Sequence, residues 1–194
     1  MSILAPDVER RLFEAIRDIK GKALTQADVD RVHGALAGTP PHTASAACVA
    51  FLHGFEKLHL TAYKDPGSKN GLPITCGWGT TRDENGGPIP LGAVWTKEKA
   101  DRLFARDLAR FERAVSDLIG TAPTTQGQFD ALVSFAYNVG EGEGGLKTSS
   151  LLRKHKNGDY AGAKEEFARW IYNDGRKLDG LVNRRAAEAA IYVS

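Results

Sequence analysis

Sulfur is scarce in this sequence, with two cysteines and one methionine in 194 residues. Cys48 and Cys76 form no CxxC pair and fall at no ligand spacing, so neither a disulfide-dense scaffold nor a cysteine-held metal is expected. Two thiols permit one bridge; free buried thiols in a reducing compartment are the preferred reading. Long apolar runs are missing too, and none approaches the roughly 20 residues that a membrane-spanning helix needs. The first residues, MSILAPDVERRLFEAIRD, place charges where a signal peptide carries its apolar stretch. Synthesis in a cytoplasm without stable membrane insertion is therefore expected. An excess of one charge is also lacking. The formal net charge is +2, whereas a dedicated nucleic-acid binder gathers a concentrated basic face, so nucleic acid is not expected as a partner.

What remains is an ordinary globular composition, 42% apolar and 26% charged, long enough for one substantial core or one domain plus a small appendage. The charge is uneven. Asp83 to Glu143 holds ten acidic and six basic side chains, and Lys147 to the end holds ten basic and six acidic. A basic C-terminal part suits an anionic polymer or surface; a solvated helix surface explains it equally well.

Helical spacing places Val8, Leu12, Ile16 and Ile19 on one face over residues 7–20, and Gly21 stops that helix. A second starts at LTQADVDRVHGAL, with Thr25 and Asp28 as a capping box. The turn-rich GTPPHTAS then marks a boundary between a helical appendage, 1–42, and a main domain, 43–194. The amphipathic pattern of the appendage favours packing against the main domain. In the main domain a helix is expected from about Thr43 to Leu58, burying Val49, Leu52 and Phe55 and carrying Glu56 in its last turn. Residues 60–81 change texture, with ITCGWGTT strand-forming and DPGSKNGLP a loop, so a hairpin or three-stranded sheet is expected. Thr96 caps a long helix bearing Leu103, Phe104, Leu108, Phe111, Val115, Leu118 and Ile119. Another follows Pro123, shorter ones begin near Ser149 and Asp159 and stop at Gly158 and Gly175, and VNRRAAEAAIY ends the chain. The class is α+β, mostly helical, with its strands near the start of the domain.

The candidate chemistry lies in GFEKLHLTAYKDP. Glu56 stands among Phe55, Leu58 and Leu60, and Asp65 follows nine positions later in a Gly/Pro-rich loop. Cleaving a glycosidic bond takes a protonated acid at the leaving oxygen and a second group across the sugar ring. Apolar neighbours help an acid keep its proton, and a polar loop keeps a carboxylate ionised. Thr75, on the following strand, has a hydroxyl able to hold a water. Spacing alone reads as readily as a solvated helix end followed by a turn.

The wider pattern is more specific. The run E-KLHLTAYK-D, then T-C-GWG, then QGQFDALVSFAYNVGEG, SSLLRKHKNGDYAGAKEEFARW and GLVNRRAAEAAIY, resembles in order the phage-type lysozymes, the muramidase family of many endolysins. The resemblance spans roughly residues 46–192 and is silent on 1–42. It implies a small β-containing lobe and a helical lobe joined by a long helix. It also implies hydrolysis of the β-1,4 bond between N-acetylmuramic acid and N-acetylglucosamine in peptidoglycan. Carried over position by position, Glu56 is the general acid, Asp65 the group that activates water and Thr75 its assistant. Arg184 pairs with the catalytic glutamate, Gly79 closes the Gly-x-Gly strand, and Tyr137 and Ser150 fall near cleft-lining positions. No metal or organic cofactor is implied. The resemblance further implies a monomer, held in the host cytoplasm until a separate holin releases it to the wall.

Three departures stand out: nine residues between Asp65 and Thr75 where the shortest members have five, Thr80 where many have histidine, and Cys76 where a branched apolar residue is usual. Two rival functions are a non-catalytic wall-binding or virion protein, whose marker is loss of the acid, and a lytic transglycosylase, which can dispense with the aspartate. Glu56 and Asp65 are both present. Among other residues, His53 lies three before Glu56 and reads as a surface neighbour, Trp170 reads as core, and GEGEGG lacks the Gly-Lys-Ser/Thr ending of a phosphate loop.

Overall fold

The computed structural model describes Glu14, residues 42–64 and residues 70–194. Apart from Glu14, which is helical, the two expected N-terminal helices lie outside the described residues, as does Asp65. The chain divides into two units, Met1–His42 and Thr43–Ser194, and the second carries all that follows.

Helix α1, Ala46–Glu56, begins where the Ser45 side chain accepts the Cys48 amide, an N-cap that satisfies one of the helix's free donors. The same serine anchors the helix, because its amide and hydroxyl both donate to Asp130. The helix is shorter than expected, and its inward face matches the expected one at Leu52 only. Cys48 and Leu52, four apart, are buried, whereas Val49 and Phe55 are half-buried. It ends at Lys57, whose φ of +48° breaks the helical path and leaves Glu56 as the last helical residue.

Strands β1, His59–Lys64, and β2, Ile74–Gly77, pair antiparallel, with Tyr63 opposite Thr75 and a register shift between His59 and Tyr63. A third piece lies along β1 without forming a full strand: Thr61 bridges Val94, and the Trp95 amide donates to the Leu60 carbonyl at 2.8 Å. Ala62, Cys76, Ile89, Trp95, Ala100 and Leu103 close into a small apolar core there. Cys76 is fully buried in it, and both cysteines are free thiols.

Helix α2, Lys97–Ile119, starts at the Thr96 N-cap and runs through both halves of the domain. Ala100 and Leu103 serve the small core, while Phe104, Leu108, Phe111, Val115 and Ile119 serve a larger helical core. Leu118, expected inside, is only partly buried at the edge of that core. Helix α3, Gln126–Val139, opens with a capping box between Thr125 and Gln128 and is buried continuously from Gln128 to Ala136. A helix buried on all sides belongs at the centre, and α3 packs most extensively against the last helix, α6, Asp179–Tyr192.

Between them lie α4, Ser150–Lys156, and α5, Tyr160–Glu166, capped by Ser149 and Asp159. The expectation that the helix from Asp159 reaches Gly175 is incorrect. It gives way to a 3₁₀ turn, Phe167–Arg169, and then to a second hairpin, β3, Tyr172–Asn173, with β4, Arg176–Lys177. Asp174 and Gly175 both take positive φ, +49° and +76°, as a two-residue hairpin turn of Asp-Gly type requires. The strands are therefore not confined to the start of the domain. No described helix is long and apolar enough to cross a membrane.

Candidate active site

Glu56 projects from the C-terminal end of α1 with its side chain 18% exposed. Its Oε1 accepts a hydrogen bond from Arg184 Nη1 at 2.5 Å. Its Oε2 faces the backbone of Gly79. A Cβ built on Gly79 would lie 2.6 Å from that oxygen and displace it, and the residue's φ of +86° favours glycine.

Gly79 belongs to a tight turn, Gly77-Trp78-Gly79, closed by reciprocal backbone hydrogen bonds between Cys76 and Thr80 at 2.9 and 3.0 Å. Three helices hold that turn through Trp78. Asp101 of α2 accepts from the indole Nε1 at 2.8 Å, and Tyr137 of α3 donates to the Trp78 carbonyl at 2.8 Å. His53 of α1 stacks on the indole with centroids 3.9 Å apart. His53 is thus an aromatic packing partner of Trp78 and Phe104 rather than a surface neighbour, and burial depresses its basicity. Burial, reinforced by the Glu56 charge, pushes the Tyr137 hydroxyl well above the usual tyrosine range, so it serves here as a neutral donor.

The remaining expected residues are placed as follows. Thr75 is buried in β2, and its hydroxyl donates to the Pro73 carbonyl at 3.3 Å. Ser150 is the first residue of α4 and accepts from Arg153 at 3.3 Å; its described contacts do not lead to Glu56. Trp170 packs, partly buried, against Phe135. The structure therefore brings together Glu56, Arg184, Gly79 and, through Trp78, Tyr137.

Behind Arg184 stands a layer that the sequence reading did not single out. Glu188, with no exposed surface, places Oε1 3.1 Å from Arg184 Nε and Oε2 3.1 Å from Arg185 Nε. Ser134 donates its hydroxyl to Glu188 Oε1 at 2.7 Å, and its carbonyl accepts from Arg184 Nη2 at 3.2 Å. Arg185 reaches Asn138 at 2.6 Å and lies over the Phe135 ring. Burial raises the Glu188 carboxyl against the pull of the two arginines, and burial brings Arg185 down to about 10. The available signal was the Arg-Arg-x-x-Glu spacing on one helix, which reads ordinarily as a surface ion pair.

A family model described as phage lysozyme matches residues 53–188. The chain belongs to the phage lysozyme family. Among curated relatives, an endolysin of Bacillus phage PZA is 39% identical over 77% of this chain and 55% of its own length. An endolysin of Acyrthosiphon pisum secondary endosymbiont phage 1 is 34% identical over 72% of this chain and 90% of its own. The chain thus spans little more than half the length of the Bacillus phage relative. Among solved structures, an endolysin from Escherichia coli O157:H7 phage FAHEc1 aligns with a TM-score of 0.67 at 35% identity, over 78% of this chain and 94% of that one. The small hairpin region, the long α2 and the helical core are accordingly a lysozyme-like α+β fold.

Proposed function

We propose that residues 43–194 form a muramidase that hydrolyses the β-1,4 bond between N-acetylmuramic acid and N-acetylglucosamine in peptidoglycan, as an endolysin does. Residues 1–42 stand as an appendage outside this catalytic unit. The observation that carries the proposal is the asymmetric setting of the Glu56 carboxyl. Oε1 accepts from a guanidinium, which cannot give up its hydrogens, so that oxygen is unavailable to carry a proton. Oε2, lying against a glycine with no side chain in the way, is the oxygen that can carry one. In this reading Glu56 donates from Oε2 to the glycosidic oxygen while Arg184 holds the carboxyl in orientation. Asp65 activates water on the opposite side of the sugar, with Thr75 as its assistant, which is the inverting arrangement. Asp65 is two residues beyond Tyr63 in sequence, and Tyr63 is paired with Thr75 across the hairpin. The enzyme works as a monomer without a metal or organic cofactor. A separate membrane pore, a holin, gives it access to the wall from the host cytoplasm.

The test is Glu56→Gln, which keeps shape and removes the transferable proton. Clearing of outer-membrane-permeabilised cells is expected to fall by at least about 100-fold, with the melting temperature retained. Mass spectrometry of wild-type digests is expected to show reducing muramic acid ends. Wild-type clearing by E56Q removes Glu56 as the acid, and anhydro ends make the enzyme a transglycosylase.

A further inference from the structure

We infer that Glu188 is a positioning residue for the Glu56 carboxyl, acting through Arg184. Its expected effect on turnover rests on the muramidase reading above. The guanidinium of Arg184 is tied down in three directions by three separate partners: Nη1 to Glu56 Oε1, Nη2 to the Ser134 carbonyl and Nε to Glu188 Oε1. A planar fork fixed at all three nitrogens cannot turn or slide without breaking a charge-assisted or backbone hydrogen bond. Glu56 stands on the outer side of this fork, and Glu188 draws on the inner side. Among the described residues, Glu188 is the one carboxylate besides Glu56 that pairs with Arg184, so without it no described opposite charge sets how far Arg184 leans toward Glu56.

Glu188 is itself held firmly. It has no exposed surface, Ser134 donates to Oε1 at 2.7 Å, and Oε2 lies against Arg185. It also gives poor service as a simple helix stabiliser. Along α6 the arginine precedes the glutamate by four, which is the weaker order for an i,i+4 ion pair. Burying that pair needs a further reason, since desolvation offsets most of its attraction. The hydroxyl of Ser134 and the Nε of Arg184 converge on one oxygen, Oε1, so the carboxylate joins the central helix α3 to the arginine of the site. Arg185, which Glu188 also faces, has partners of its own in Asn138 and the Phe135 ring.

The experiment measures kcat and KM of the full chain on soluble peptidoglycan fragments for wild type, E188Q, S134A, R184Q and the double variant E188Q/R184Q. In parallel, exchange of the Arg184 Nε–H with water is followed by NMR on wild type, E188Q and S134A, which needs no activity. E188Q is expected to lower kcat about tenfold with KM changed by less than about twofold, as for a misplaced catalytic group. The Nε–H exchanges faster in that variant, and the double variant turns over no more slowly than R184Q alone. If E188Q fails to fold, S134A carries the test, with kcat down about threefold and faster Nε–H exchange expected from the loss of its 2.7 Å hydrogen bond to Glu188, its 3.5 Å contact with Arg184 Nη2 being the weaker of the two it gives up. Wild-type kcat and exchange in a folded E188Q or in S134A overturns the inference, as does a double variant that loses the product of the two single effects. If wild type itself cleaves nothing, the muramidase reading fails, and the exchange measurement still decides whether Glu188 holds Arg184.

Discussion

The two cores of the domain are built to different rules. The small core around Trp95 and Cys76 encloses no charged side chain among the described residues, and its hydrogen bonding runs largely through backbone: the β1–β2 ladder, the Cys76–Thr80 turn and the carbonyls of His59 and Leu60 that the Cys76 thiol meets. The helical core encloses ionisable side chains among its aromatics: Arg184, Arg185 and Glu188 in one layer and His155 in another, all almost wholly buried. Burying charge is tolerated only when partners are supplied, and helices supply them at i,i+3 and i,i+4 without opening a sheet. Glu56 stands where the two meet. The helical side contributes a fixed cation, and the sheet side contributes an absence, the missing Cβ of Gly79. The lesson is that electrostatic order and free space at one carboxyl come from different halves of the fold, so the two can be attacked separately.

The heaviest blow falls on the helical core. Phe135 has no exposed surface, meets Phe167 and Trp170 edge-on, and lies beneath the Arg185 guanidinium. Phe135→Ala is expected to cost about 3–5 kcal/mol in urea unfolding, against about 2 kcal/mol for Ile89→Ala in the small core. An Ile89→Ala loss equal to or above that of Phe135→Ala would break the comparison.

Acid should attack the same core next. His155 is buried between Tyr192 Oη, 2.6 Å from Nδ1, and Thr124 Oγ1, 2.9 Å from Nε2. Thr124 spends its own hydrogen on the Ala122 carbonyl, so it accepts from Nε2–H and leaves Nδ1 to accept from Tyr192. Both neighbours are neutral, as is Tyr160 packed edge-on, and burial brings the imidazole down from 6.5 to about 4. The unfolded chain therefore takes up a proton near pH 6.5 that the folded protein refuses until near pH 4. This contribution is fully present above pH 6.5, declines as the pH falls, and is gone below about 4. It amounts to up to about 3 kcal/mol. Melting temperature measured from pH 7 to pH 4 should fall in wild type and fall less in His155→Gln. Equal slopes would remove His155 as the cause.

The residues explain why some of this was legible in the sequence and some was not. Helix α2 was readable because Thr96 caps it ahead of a strong apolar stripe, and α3 because an apolar run follows the break at Pro123. In the site, Glu56 and its apolar neighbours stood out locally, whereas the role of Arg184 came through resemblance, since it lies 128 residues away in sequence. Glu188 escaped notice because helical spacing cannot tell a buried pair from a solvated one; only the packing of α3 against α6 does that. The second hairpin escaped because Gly175 was weighed alone as a helix stop, when Asp174 beside it completes a turn. On α1 Leu52 is buried as expected, but Cys48 shares its inward face in place of Val49 and Phe55, because Ser45 anchors the start of the helix to Asp130 and Cys48, three residues on, lies against the same α3 backbone.

The smallest expected loss of stability comes from the sheet side, where it sharpens the comparison most. Gly79→Ala introduces a Cβ 2.6 Å from Glu56 Oε2 on a backbone at φ +86°. The strained conformation alone is expected to cost about 1–2 kcal/mol. The contact is with the end of a side chain, so the carboxyl can move aside rather than unfold the turn, which Tyr137 and Asp101 still hold through Trp78. Moving it aside displaces the oxygen proposed to carry the proton, and a displacement near 1 Å is worth about 100-fold in rate. The expected signature is a modest drop in melting temperature with a large drop in kcat, the reverse of the Phe135→Ala pattern, in which stability collapses first. If Gly79→Ala kept wild-type turnover at its lower melting temperature, free space beside Glu56 would not be the contribution of the small core, and the division of labour between the two halves would fail at this residue.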